Sequence, residues 1–211
     1  MNTKRDYALV MVIGFCVGLL VLLPAKNIGV SVSLLAAVLS AVGFTLFAPI
    51  ALFVLKTLGK RVPILEQFGK FAAVGTLNTL IDLGILNALM IGTGIVSGVG
   101  FSAFKAISFV GGTTNSYFWN KFWTFQNTLP ISLSQYVRFL LFTLVGTGIN
   151  VGVASVLVNV VGAPSGISAT LWANIGAIIA VFVAMMWNFV SYRKIVFKGS
   201  VAGPESSTAK N

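Results

Sequence analysis

Histidine is absent from this 211-residue sequence, cysteine occurs once, and there are four acidic residues: Asp6, Glu66, Asp82 and Glu205. So few ligating and titrating groups argue against a metal site or a two-carboxylate hydrolase, and no cofactor or catalytic residue is expected. The lone Cys16 can form no intrachain disulfide. Charge is scarce too. Only 9% of residues are charged against 57% hydrophobic, and mean hydropathy is +0.97. A chain of that composition has too little polar surface to cover a soluble globule, so the expected class is an all-α integral membrane protein.

What is present is a series of apolar runs. Six of them approach the roughly 20 helical residues that a hydrocarbon core requires, at about 7–23, 30–55, 68–91, 99–119, 136–161 and 167–191. Lys4 and Arg5 before the first run resemble a signal peptide, but no small-residue cleavage site follows, so a retained hairpin is expected. The predicted organisation is an amino-terminal hairpin at 1–62, a four-helix domain at 63–198 and a disordered tail at 199–211. Placing the amino terminus in the cytoplasm puts twelve of the fourteen Lys and Arg residues on the inner side, which predicts a multi-pass inner-membrane protein with both termini cytoplasmic. The net charge of +10 is then a topology signal plus a basic rim that anionic lipids favour. Cations dispersed over short loops do not suit nucleic-acid binding.

The chain repeats itself. Gln67-Phe68-Gly69-Lys70-Phe71 is answered 68 residues later by Gln135-Tyr136-Val137-Arg138-Phe139, and Thr79 to Gly84 by Thr147 to Gly152. Asn115 to Phe125 is echoed approximately by Trp187 to Phe197, with five positions from Asn188 to Arg193 where Asn115 to Lys121 spans six. Two hairpins starting on the same side make a parallel repeat, which transporters use to place a site between halves. Within the first repeat, Lys105, Ser108, Gly112, Asn115, Ser116 and Trp119 fall on one helical face, a polar stripe that ends in the basic and aromatic run Asn120 to Phe125.

The stretches QFGKFAAVGTLNTLIDLGIL, GGTTNSYFWNKFWTF, QYVRFLLFTLVGTGINVGVASVL and WNFVSYRKIVF together resemble the GtrA-like family of small four-helix bacterial membrane proteins, over roughly residues 66–198. The resemblance implies a role in cell-surface polysaccharide synthesis or modification, with movement of an undecaprenyl-phosphate-linked sugar across the cytoplasmic membrane. The hairpin at 1–62 departs from that four-helix pattern. Such a substrate has an anionic phosphate, a polyhydroxyl head and an apolar tail. Lys70, Lys121, Arg138 and Arg193, near the inner ends of the four repeat helices, are candidate phosphate contacts, with topology and snorkelling as the alternative. Asp82 and Lys105 lie deep enough to need an account of their cost. They are either a structural ion pair or the place where a phosphate is met. Asn150 replaces Asp82 in the second repeat, and Asn174 is read as the neutral counterpart of Lys105. Asn115 and Asn188 either bind sugar hydroxyls or bridge helices. Expected partners are the lipid-linked sugar, membrane lipids, a membrane glycosyltransferase and a second copy of the chain. Two other roles stay open: a non-transporting adaptor that positions a glycosyltransferase, and a small cation or drug exporter built on Asp82.

Overall fold

The computed structural model describes residues 3–22, 32–62 and 64–198. The expectation for the tail 199–211 lies outside these residues. Among the described residues there are six α-helices: α1 (Thr3–Leu20), α2 (Leu34–Gly59), α3 (Ile64–Thr93), α4 (Gly98–Trp119), α5 (Leu133–Ser155) and α6 (Ala169–Ser191). Ser33, Ser132 and Ser168 start α2, α5 and α6, their hydroxyls accepting from the N–H groups of Ala36, Gln135 and Leu171 at 3.1, 3.1 and 3.2 Å. Three helices loosen into π-helix at their carboxyl ends, at Asn120–Thr124 after α4, Val156–Val161 after α5 and Tyr192–Val196 after α6.

This is an all-α membrane protein. Leu34–Gly59, Ile64–Thr93, Leu133–Val161 and Leu171–Val196 are long and apolar enough to cross a bilayer. Helices form at the other two expected spans, but fall short of that standard. The 18 residues of α1 include Lys4, Arg5 and Asp6, and α4 is diluted by Lys105 and its Ser, Thr and Asn residues.

The chain divides into two compact units, Met1–Thr124 and Phe125–Asn211. In the first, α1 turns one face inward, with Asp6, Val10, Ile13, Gly14, Val17 and Gly18 buried at helical spacing. Val10, Ile13 and Val17 share a core with Leu52 of α2, Val74, Leu77 and Leu80 of α3, and Trp123. The amino-terminal hairpin is thus packed into the same core as the first repeat hairpin. Two glycines permit the approach of α1 to α2. A Cβ on Gly18 would lie 2.6 Å from the Ser40 carbonyl oxygen, one on Gly14 would run into the Phe44 carbonyl, and Ser40 Oγ donates to Gly18 O at 2.7 Å.

The second unit is held by rings. Phe139 is fully buried 4.3 Å from Tyr192 centroid to centroid, and Phe125 sits 5.2 Å from Phe197 and 5.9 Å from Phe189. The repeat shows in matching details of the two units. Gly94 and Gly98 turn the chain between α3 and α4 with φ of 73° and 67°, and Gly162 and Gly166, 68 residues on, do so between α5 and α6 with φ of 73° and 86°. Gln67 Nε2 donates to Thr124 O at 3.3 Å and Gln135 Nε2 to Val196 O at 3.1 Å, each closing its hairpin onto the last residue of a π segment.

Because the atoms facing Gly14 and Gly18 are backbone, Gly14→Ala and Gly18→Ala should each destabilise the protein by about 1–3 kcal/mol through overpacking. Gly43, with nothing within 4 Å of a Cβ, is the control. Equal melting temperatures in detergent for Gly18→Ala and Gly43→Ala would refute the close packing of α1 on α2.

Candidate functional site

Two charged clusters occupy the first unit. The larger gathers where α1 begins, α2 ends, α3 begins and the π segment follows α4. Asp6 Oδ2 accepts from Lys56 Nζ and Lys70 Nζ, both at 2.9 Å, and Asp6 Oδ1 accepts from Trp123 Nε1 at 3.0 Å. Glu66 adds a second carboxylate, 3.2 Å from Lys70 and 3.6 Å from Lys56. Asp6 is 5% exposed and Lys70 2%. The four charges cancel. Burial disfavours the Asp6 carboxylate, but the bonds from Lys70, Lys56 and Trp123 and the Lys70 charge outweigh it and hold the group below its ordinary pKa.

The second cluster lies deeper along the same hairpin. From Lys70 to Asp82 the helical rise is about 18 Å, and from Lys121 back to Lys105 about 24 Å. The two meet: Lys105 Nζ donates to Asp82 Oδ2, and Ser108 Oγ donates to Asp82 Oδ1 at 2.6 Å. Lys105 remains 45% exposed and Asp82 22%. Nearer Lys121, Asn115 Nδ2 donates to Asn78 Oδ1 at 2.6 Å, and Asn78 Nδ2 donates to Val74 O at 2.7 Å. The polar stripe on α4 is thus matched by polar groups on α3.

The remaining predicted residues divide. Lys121 is fully buried, its Nζ 5.9 Å from the Phe122 ring centroid, and burial lowers its pKa. Arg138 and Arg193 are exposed, and Asn150 is half-buried on α5. Asn188 lies over Gly146, the position equivalent to Asn78, where any Cβ would strike its carboxamide. It therefore takes the place of Asn115 in the second unit. Asn188 Oδ1, Asn120 Oδ1 and Thr124 Oγ1 are buried acceptors with no hydrogen-bond partner among the described residues. Asn174 lies in the first half of α6, as Lys105 does in α4.

Asp6 was not singled out by sequence, and Trp123 was read only as part of the basic and aromatic run at the end of α4. One available signal was Gly14-x-x-x-Gly18, a small-residue spacing that marks a close helix contact and therefore a buried face on α1.

A carboxylate with a depressed folded pKa stabilises fully above its unfolded value of about 3.9, and this contribution disappears as pH falls through the lower folded value. Asp6→Asn should cost about 3–5 kcal/mol at neutral pH by leaving buried cations short of a partner. The stability gap between wild type and Asp6→Asn should be constant from about pH 7 to 5 and close below about pH 4. A gap unchanged at low pH would show that Asp6 is not held as an anion.

The transmembrane-domain family described as GtrA/DPMS matches residues 70–197. The "Uncharacterized membrane protein YngA" of Bacillus subtilis (strain 168) is 31% identical over 137 residues, which cover 65% of this chain and 83% of that protein. No solved structure matches. The matched region begins at Lys70 and takes in both repeat hairpins with the Asp82–Lys105 pair, leaving α1 and α2 outside it. With more than half its length matched, the chain belongs to the GtrA family of membrane proteins.

Proposed function

We propose that this protein carries a polyprenyl-phosphate-linked monosaccharide across the bacterial cytoplasmic membrane for cell-surface polysaccharide synthesis, with no chemical step of its own and both termini in the cytoplasm. The observation that carries the reading is the Asp82–Lys105–Ser108 cluster, a half-exposed ion pair on membrane helices. An ionisable side chain at such depth costs at least about 2.5–3.5 kcal/mol on insertion scales, so a pair left open at the surface of its hairpin is poor architecture and a good anion contact. Lys105 meets the phosphate. Asp82 keeps the lysine from holding it too tightly, and Ser108 fixes the carboxylate meanwhile. Between this cluster and the end of the hairpin, Asn78 and Asn115 offer uncharged hydrogen-bonding groups, which suit sugar hydroxyls. Arg138 and Arg193 are exposed cations for a phosphate at the surface.

Removing one member of the pair strands the other charge, whereas removing both can be nearly neutral. Asp82→Asn/Lys105→Gln should therefore melt in detergent close to wild type. In liposomes loaded with a fluorescent polyprenyl phosphosugar it should be unable to move the lipid. Full transport by the folded double variant would reduce the pair to architecture. Movement by wild type no faster than in empty vesicles would favour an adaptor that positions a glycosyltransferase.

A further inference from the structure

The amino-terminal hairpin and α3 line an apolar cavity whose walls include the chain neighbours of two Asp6-cluster lysines. The cavity, of about 250 Å³, lies among α1, α2 and α3 and is lined by Val10, Ile13, Phe44, Leu52, Leu55 and Gly69 among others. Leu55 and Gly69 are the residues immediately before Lys56 and Lys70, and Val10 is one turn beyond Asp6. From Val10 to Val17 the lining extends about 10 Å along α1. Three donors, Lys56 Nζ, Lys70 Nζ and Trp123 Nε1, converge on a single anionic group, and two of them follow a lining residue directly in the chain.

The origin of that anionic group matters. Lys70 and Trp123 belong to the matched family region, in which the one acidic residue is Asp82, already bound to Lys105. The acceptor that Lys70 and Trp123 use comes from α1, outside that region. Without Asp6 the cluster would carry Lys56, Lys70 and Glu66, one positive charge in excess. A phosphodiester, singly negative, replaces the carboxylate charge for charge.

We propose that Lys56, Lys70 and the Trp123 indole form the docking site for the phosphate of a single-chain polyprenyl phosphosugar, that the apolar cavity takes the start of its chain, and that Asp6 occupies the phosphate position until the lipid displaces it. The inference rests on the ligand class proposed above but not on transport. The amino-terminal hairpin then acts as a built-in competitor: it lowers affinity at the entry site, and the lipid's release is assisted by the return of Asp6. A phosphate there makes charge-assisted bonds to both ammonium groups and the indole N–H, the geometry the carboxylate already uses.

The test is binding of a short-chain polyprenyl phosphosugar to purified full-length protein in detergent. Asp6→Asn should bind at least about tenfold more tightly than wild type. Asp6→Asn/Lys56→Gln, which keeps Lys70 and Glu66 in balance, serves where the single variant does not fold, and should bind more tightly than Lys56→Gln alone. Adding Lys70→Gln to either should abolish the gain. Inorganic phosphate, lacking a chain, and phosphatidylglycerol, with two, should show no comparable gain. Equal tightening for phosphatidylglycerol would overturn the single-chain site. Affinity unchanged in both Asp6 variants would overturn Asp6 as the occupant, while transport by wild type in liposomes would leave the proposed function standing. Binding by no form of the protein would overturn the inference, and failure of wild-type transport would then take the proposed function with it.

Discussion

The carboxylate of Asp6 is the constraint on which the first unit depends. Its two oxygens take bonds from three donors on three separate segments, and Glu66 returns charge to both lysines. Burying an ion costs several kcal/mol unless partners and bonds surround it, so none of these groups can be withdrawn alone. The geometry reaches back into α1. Asp6 can touch Lys70 only because Gly14 and Gly18 let α1 lie against the backbone of α2, and because Val10, Ile13 and Val17 seat the helix on α3. Packing along the helix and charge at its end are one arrangement.

The fold was largely legible in sequence because a bilayer leaves the backbone few choices: apolar runs become helices. The duplication was legible for a related reason, since residues that turn or close a hairpin recur with it, as Gly94, Gly98 and Gln67 do in Gly162, Gly166 and Gln135. The encounter of Asp82 with Lys105 could be foreseen from helical rise alone, both being deep in adjacent antiparallel helices. Asp6 could not be read that way. Its partners are 50, 64 and 117 positions away, and a charge beside Lys4 and Arg5 reads as part of a flanking signal. Lys70 was a candidate phosphate contact, but its burial against Asp6 was hidden, because counting cations by side says nothing about which are buried.

The one-residue difference in the echo between Asn115 and Asn188 lies before the π segments after α4 and α6, which are five residues long in both units. A helix that widens to π absorbs a residue without breaking, and such widenings gather at functional positions. Here they occupy Asn120–Thr124 and Tyr192–Val196, between the polar stripe and the residues that each Gln secures. The hairpin closes on the same contact in both units, at the last residue of an equal π segment.

The two halves have also divided one problem of volume in opposite ways. In the first, carboxamides on facing helices bind each other, Asn115 to Asn78. In the second, Asn188 takes the corresponding place but faces Gly146, so its side chain fills the space that a partner's side chain would occupy. The asymmetry makes each position hostage to the one opposite. Asparagine at 146 has no room unless 188 shrinks, and glycine at 78 leaves Asn115 over a void. Substitutions here are epistatic by geometry, so the duplicated hairpins can drift further apart in sequence only by paired steps.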